Sequence, residues 1–187
     1  MPQPLMTTMT PPASRAASAG HATVHSIESA RRRFRRPSPG DSIAVLVVGS
    51  HAITRAGLRL LLEDDADLAV VGEAASGPDG ARLARSTDPD VVLLDAGCLE
   101  PDPAASTRLF AGRVAVLLLT DCDRDDRDDR VLAAIRAGAT GVLAKDSHPA
   151  ELASAVRTLA AGGALLPPRT TRRLITELVN ATASASH

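Results

Sequence analysis

The stretch Val91-Val92-Leu93-Leu94-Asp95 places four consecutive apolar residues directly before a carboxylate. A short run of Val and Leu without polar alternation is typical of a strand that is buried on both faces, as in a parallel sheet covered by helices. Comparable apolar runs lie on either side of it, at residues 43–48, 69–72, 114–120 and 141–144. These runs predict five strands.

Amphipathic segments alternate with the strands. The predicted helices cover residues 52–64, 77–86 and 104–110, a segment that follows the charge run 121–130 and ends at Gly138, a segment from Pro149 to Gly162, and residues 170–179. In the first helix, Ile53, Leu58, Leu61 and Leu62 are expected near one face of the helix. Strands that alternate with helices predict an α/β fold with a doubly wound, five-stranded parallel sheet.

The charge distribution divides the chain. Residues 1–40 carry six arginines against Glu28, a net charge of +5, whereas the remainder carries 15 basic and 21 acidic residues, a net charge of −6. We predict a disordered basic tail over residues 1–40, a folded domain over 41–165, and a linker-like amphipathic helix with a frayed end over 166–187.

Composition excludes several classes of protein. No apolar run is long enough to span a bilayer and no secretory signal is visible, so a cytoplasmic protein is expected. The chain has two cysteines, which cannot form a disulfide framework, and no Cys/His set with the spacing of a zinc module. It has no Trp, no Tyr and only two Phe, so stacking on nucleic-acid bases is not expected as a main activity.

In a doubly wound sheet, functional groups collect beyond the carboxyl ends of the strands. The side chains at these ends are polar, small or ionisable. They are Gly49, Ser50 and His51 after the first strand, Asp95 and Cys98 at the third, Thr120, Asp121, Cys122 and Asp123 at the fourth, and Lys145 after the fifth.

An Asp, a Thr and a Lys at three strand ends resemble the receiver domain of bacterial two-component response regulators. The resemblance extends to Val71-Gly72-Glu73-Ala74, Ala137-Gly138-Ala139-Thr140-Gly141 and Leu143-Ala144-Lys145-Asp146. These segments are similar in sequence to the subfamily that carries a LuxR-type helix-turn-helix. The resemblance implies a flavodoxin-like fold. It also implies that Asp95 is the phosphoacceptor, that Thr120 and Lys145 are the switch residues that contact the phosphoryl group, and that the donor is a histidine kinase or a small phosphodonor.

The chain departs from that family where Mg²⁺ is held. Gly49 and Ser50 occupy the positions of two acidic residues, and neither side chain is an anionic ligand, although Mg²⁺ normally keeps carboxylate ligands. Asp95, Asp121 and Asp123 are the remaining candidate ligands. Val142 also stands where relatives carry a switch Tyr or Phe. No cofactor is therefore expected, and Mg²⁺ is expected only if Asp95 is phosphorylated.

Structural alternatives exist for the same residues. Asp95 and Lys145 are also compatible with a simple ion pair, Thr120 with a helix cap, and the charge run at 121–130 with a solvated helix start. His51, Cys98 and Cys122 are compatible with a thiol pair or with an adventitious metal site, or with no special chemistry.

These features predict an atypical receiver domain that acts through a protein partner or as a homodimer and is not an enzyme. Leu174, Ile175 and Leu178 would be buried against the receiver or against a second copy. Relatives continue into a DNA-binding domain for which no room follows residue 187, so direct DNA binding is not expected. The alternatives are a functional phosphoacceptor and a truncated DNA-binding response regulator.

Overall fold

The computed structural model describes residues 42–96, 102–121 and 127–184. The predicted tail over residues 1–40 lies outside these ranges. Within them, no helix combines the length and the apolar character that crossing a membrane requires.

Five parallel strands form one sheet. They are β1 (Ile43–Val48), β2 (Leu68–Ala74), β3 (Val91–Asp95), β4 (Ala115–Thr120) and β5 (Gly141–Ala144), and they lie in the order β2-β1-β3-β4-β5. The order reverses between β1 and β3, so the carboxyl ends of these two strands flank the crevice in which doubly wound sheets bind ligands. The predicted fold class is confirmed.

The described part of the chain contains six helices, and local sequence explains where most of them begin and end. They are α1 (Ala52–Glu63), α2 (Gly77–Thr87), α3 (Pro103–Arg108), α4 (Arg127–Arg136), α5 (Pro149–Ala160) and α6 (Pro168–Ser184). The side chains of Ser76, Asp102 and His148 accept hydrogen bonds from the first-turn amides of α2, α3 and α5. After α4, Gly138 has a φ of 114°, a left-handed conformation that favours glycine.

Two apolar cores cover the two faces of the sheet. One core packs α1 and α5 on the face that carries Val45, Val47, Leu93 and Leu117. The other core packs α2, α4 and Phe110 on the opposite face, which carries Leu46, Leu94 and Leu118. β3 is buried along its whole length to Asp95, and β4 is buried as far as Leu119.

The predicted shared face of α1 is wrong for Ile53 and Leu61. The side chains of these residues are 89% and 43% exposed, whereas Leu62 is buried and Leu58 is partly buried. Residues 53 and 58 are five positions apart, which separates them by about 140° around a helix of 3.6 residues per turn. They therefore cannot share one face.

The segment after α5 packs along the free edge of β5. Leu165 forms a parallel bridge with Gly141, and the amide of Val142 donates to the Leu165 carbonyl at 2.8 Å. Two ion pairs then join α6 to α4, Arg173 to Asp129 at 2.6 Å and Arg136 to Glu177 at 2.5 Å. Of the residues expected to be buried on α6, Leu174 is half-buried and Ile175 is 56% exposed.

Candidate functional site

The ends of β1, β3, β4 and β5 bring the predicted site residues to one edge of the sheet. Val48 is in register with Leu94, so the next residues, Gly49 and Asp95, lie side by side on adjacent strands. Asp95 is in register with Leu119, one residue before Thr120. Thr120 is in turn in register with Ala144, one residue before Lys145.

Asp95 is a buried carboxylate held by an ammonium group. Its side chain is 1% exposed, and its Oδ1 atom lies 2.6 Å from Nζ of Lys145, whose side chain is 25% exposed. Nζ of Lys145 also lies 3.6 Å from Oδ1 of the more exposed Asp121. A charge as buried as that of Asp95 needs such a partner because low-dielectric surroundings disfavour an isolated ion.

The backbone fixes the position of Lys145 relative to β4. The amide of Lys145 donates a hydrogen bond to the Thr120 carbonyl at 2.9 Å, and the amide of Ala96 donates to the Leu119 carbonyl at 2.9 Å. Thr120 itself is half-buried at the end of β4. The three residues that resemble the phosphoacceptor and its switch residues therefore lie at adjacent strand ends.

Gly49 lies against Asp95. A Cβ atom placed on Gly49 would lie 3.0 Å from Cβ and 3.6 Å from Oδ2 of Asp95. The Gly49 amide donates to the carbonyl of Ala74 on β2 at 3.0 Å, which fixes the backbone at this point. A side chain at position 49 therefore requires Asp95 to move by a few tenths of an ångström.

Arg55 occupies the tip of β1 with a positive charge. Its Nη1 atom donates to the Gly49 carbonyl at 2.6 Å and to the Ser50 carbonyl at 3.1 Å. Its Nε atom is buried without a hydrogen-bond partner and lies 3.5 Å from Oε2 of Glu73 at the end of β2. The two residues that replace the acidic pair are thus bound by a guanidinium through their carbonyl oxygens.

Glu73 is shared between two arginines. Besides its ion pair with Arg55, it accepts a hydrogen bond from Nη1 of Arg59 at 2.9 Å. The pKa of Arg59 is raised because of this hydrogen bond and the neighbouring charge of Glu63. The Glu73 carboxylate therefore forms ion pairs with two arginines of α1. The sequence signal for this network is two arginines four residues apart on α1 and an acid near the end of β2.

The donor set does not fit a magnesium cradle. At the described ends of β1, β3 and β4 the carboxylates are those of Asp95 and Asp121, and both contact Lys145. Glu73, near the end of β2, is paired with Arg55 and Arg59. Mg²⁺ prefers octahedral coordination by oxygen ligands and is usually held by one or two carboxylates. No group of three or more His, Cys, Asp or Glu suited to a metal is found in residues 42–96, 102–121 and 127–184.

The remaining predicted site residues are Cys98, Cys122, Asp123 and His51. Cys98, Cys122 and Asp123 lie outside the described residues, so the thiol and metal alternatives that involve them stay predictions. His51 is exposed at the N-terminal cap of α1, where its Nδ1 atom lies 3.4 Å from Oγ of Ser50.

Many solved structures are similar to this chain, and three of them are described here as examples. The response regulator ChrA of a heme-sensing two-component system is 34% identical, with coverage of 74% of this chain and 66% of that chain and a TM-score of 0.58. A LuxR-family two-component response regulator from Aurantimonas sp. SI85-9A1 is 32% identical, with coverage of 74% of this chain and 99% of that chain and a TM-score of 0.62. The signal receiver domain of NarL from Mycobacterium tuberculosis is 31% identical, with coverage of 65% of this chain and 98% of that chain and a TM-score of 0.59.

The chain spans slightly less than two thirds of the solved ChrA chain but nearly all of the other two solved chains. No curated protein matches it significantly. Residues 45–157 match the family described as the response regulator receiver domain, and this match covers more than half of the chain. With its fold and with two relatives above 30% identity that it covers almost completely, the chain belongs to the response regulator receiver domain family of two-component signalling.

Proposed function

We propose that this chain is an atypical receiver domain in which Mg²⁺-dependent phosphorylation of Asp95 is impaired and which signals through protein contacts. The observation that carries the proposal is the tip of β1. There Gly49 and Ser50 supply no carboxylate, and their carbonyl oxygens accept hydrogen bonds from Arg55.

Electrostatics is the reason for the impairment. Phosphoryl transfer to a carboxylate depends largely on positive charge that neutralises the oxygens of the transferred group. In this chain Lys145 is a cation that contacts Asp95. Each ~1.4 kcal/mol of stabilisation that is lost with the divalent ion slows the transfer tenfold. Arg55 adds positive charge at the strand tip, which disfavours a divalent cation.

The alternative function is a working phosphoacceptor. It is favoured by the retention of Asp95, Thr120 and Lys145 at adjacent strand ends, with Lys145 within 2.6 Å of the acceptor carboxylate. In that case a histidine kinase or a small phosphodonor phosphorylates Asp95, and Thr120 and Lys145 contact the phosphoryl oxygens. The two functions differ in one measurable quantity, the extent of phosphorylation of Asp95.

Intact-mass spectrometry after incubation with acetyl phosphate and Mg²⁺ measures that quantity. We expect no mass gain for the wild-type chain and a gain of one phosphoryl group for Ser50→Asp or for Gly49→Asp/Ser50→Asp, which restore acidic ligands. Asp95→Asn in each background is the matched control. A stoichiometric gain in the wild type that Asp95→Asn abolishes supports the alternative and contradicts our proposal.

The output in this proposal is a contact with another protein in the cytoplasm. The surface formed by α4, β5 and α5 is the proposed contact region, by analogy with the family. In this chain α6 lies beside it, joined to α4 by Arg173–Asp129 and Arg136–Glu177. A partner that binds DNA would connect the domain to transcription.

A third candidate function is that of a truncated DNA-binding response regulator. It is favoured by the similarity to a response regulator of the LuxR family.

A further inference from the structure

Asp121 is a second carboxylate in contact with Lys145. Its Oδ1 atom lies 3.6 Å from Nζ of Lys145, and the same Nζ atom lies 2.6 Å from Oδ1 of Asp95. The backbone keeps Asp121 at this place, because the preceding residue, Thr120, accepts a hydrogen bond from the Lys145 amide at 2.9 Å. One ammonium group therefore contacts two carboxylates, that of Asp95, which is buried, and that of Asp121, which is 48% exposed.

The three charges do not balance, and phosphorylation increases the imbalance. Lys145 carries one positive charge against the two negative charges of Asp95 and Asp121. In the transfer, one carboxylate oxygen of Asp95 forms a bond to the phosphorus of acetyl phosphate, while the bond from phosphorus to the acetate oxygen breaks and acetate leaves with its electron pair. The single charge of the carboxylate is replaced by about two charges on the phosphoryl group. The negative charge at the site thus grows, and Lys145 is a cation that offsets it.

We propose that Asp121 is a positioning residue that shares Lys145 with Asp95 and thereby slows the phosphorylation of Asp95. An ammonium group that faces two carboxylates stabilises added negative charge less than one that faces a single carboxylate, because the second carboxylate cancels part of its field. Asp121 also repels an anionic donor that approaches the acceptor. It acts in addition to the tip of β1, so this role rests on the proposed function, in which phosphorylation of Asp95 is impaired.

A carboxylate at this position has the opposite effect if it holds a metal ion. Removal of a ligand weakens cation binding and slows the transfer, whereas removal of a competitor for Lys145 accelerates it. The geometry favours the second role, because an ammonium group 3.6 Å from the Asp121 carboxylate repels a divalent cation there. The effect of Asp121→Asn on the rate therefore has a different sign for the two roles.

The initial rate of phosphorylation by acetyl phosphate in the presence of Mg²⁺ tests this role. Intact-mass spectrometry follows the wild type, Asp121→Asn, Ser50→Asp and Ser50→Asp/Asp121→Asn over time. We expect Asp121→Asn to raise the rate about three- to tenfold in the Ser50→Asp background, the order of magnitude of one partly exposed charge at this distance. Asp146→Asn is the matched control and should leave the rate unchanged. It removes an exposed carboxylate next to Lys145 in the sequence that forms no ion pair within the described residues.

The contact can also be measured without phosphorylation. Asp121→Asn, Lys145→Met and the double variant form a double-mutant cycle, in which urea denaturation gives the midpoint of unfolding. We expect Asp121→Asn to change the midpoint less favourably in the wild type than in Lys145→Met, because the wild type alone loses the attraction between the two side chains. Equal changes in the two backgrounds would show that the side chains are not coupled and would overturn the role of Asp121.

Different results contradict this role and the proposed function. Stoichiometric phosphorylation of the wild type contradicts the proposed function, and the role of Asp121 is then decided by the rates of the wild type and Asp121→Asn. An unchanged rate in Asp121→Asn overturns the role, and so does an equal acceleration by Asp146→Asn. A lower rate overturns it as well and indicates a metal ligand. Absence of phosphorylation in Ser50→Asp/Asp121→Asn also overturns it, because both obstacles are then reduced.

Discussion

Gly49 and Asp95 lie side by side at the point where the sheet changes strand order, and a Cβ atom on Gly49 would be 3.0 Å from that of Asp95. Position 49, where related receivers carry an acidic residue, is therefore tightly packed as well as uncharged. An acidic side chain at position 49 has to displace the Asp95 carboxylate slightly, whereas one at the exposed position 50 does not.

This difference predicts how magnesium binding can be restored. We expect NMR titration of the wild-type chain to show no saturable Mg²⁺ binding at millimolar concentration around residues 48–51. Ser50→Asp alone should create saturable binding there, because it adds a carboxylate without crowding Asp95. Saturation of the wild type at the tip of β1 would mean that other oxygen ligands replace the acidic pair, and the proposed function would then be wrong.

The Asp95–Lys145 pair predicts a coupled loss of stability. Lys145→Met removes the ammonium group from a carboxylate that is 1% exposed. We expect a loss of roughly 2–3 kcal/mol in the free energy of unfolding, below the usual cost of breaking a fully buried pair because Lys145 is partly exposed. Asp95→Asn/Lys145→Met should recover most of it, as measured by urea denaturation. Equal stability of Lys145→Met and the wild type would contradict a stabilising pair.

Gly57 and Gly80 predict opposite effects of the same substitution. Both lie in helices, where Ala is intrinsically favoured over Gly by up to about 1 kcal/mol. Gly57→Ala meets open space and should stabilise the chain by about 0.5–1 kcal/mol. At Gly80 the new Cβ would lie 2.7 Å from Cγ2 of Val48 and 3.1 Å from Cζ of Phe110, so overpacking of about 1–3 kcal/mol should outweigh the gain.

Denaturant unfolding at dilute concentration measures both variants without interference from association. If Gly80→Ala is as stable as Gly57→Ala, the packing of α2 against Val48 and Phe110 is looser than described.

The contact between α5 and the loop before β2 predicts an acid-sensitive contribution to stability. The pKa of Asp67 is lowered because Arg157 donates hydrogen bonds to its carboxylate, at 2.6 and 2.8 Å. A lowered pKa in the folded state stabilises the fold above the pKa of an unfolded aspartate, near 3.9. The contribution is lost as the pH falls through and below this value.

In Arg157→Gln, the fall in Tm between pH 5 and pH 3 should therefore be smaller than in the wild type. Thermal unfolding followed by circular dichroism at several pH values gives the comparison. An identical pH profile in the two proteins would show that this ion pair does not contribute.

The ion pairs between α4 and α6 predict where α6 can be released. Exposed pairs contribute only about 0.2–1 kcal/mol each, so two of them hold α6 weakly. Arg136→Glu/Arg173→Glu should reverse both contacts and lower the hydrogen-exchange protection of residues 170–180, while β3 and β4 remain protected. Loss of protection throughout the sheet would instead indicate that α6 is part of the cooperative unit.

The strands were predictable because they carry a strong physical signal. Val91–Asp95 and Gly141–Ala144 occupy the predicted residues, since short apolar runs bounded by turn residues fit a strand of a sheet that is covered on both faces. The face of α1 was not predictable in the same way. Its apolar residues occur on more than one side, and in the structure Leu58 and Leu62 pack on the core while Arg55 and Arg59 contact Glu73.

The same limit applies to the site. Strand-end positions follow from topology, so the convergence of Asp95, Thr120 and Lys145 could be inferred from order along the chain. The hydrogen bonds from Arg55 to the carbonyls of Gly49 and Ser50 could not, because backbone acceptors leave no mark in a sequence.

The bridge between Leu165 and Gly141 has a consequence for any shortened version of this protein. It pairs part of β5, which would otherwise present free amide and carbonyl groups at the border of the sheet. Unpaired borders recruit strands from other molecules. A fragment that stops at the end of α5 should consequently self-associate into insoluble material, whereas one that retains residues 161–167 should stay dispersed.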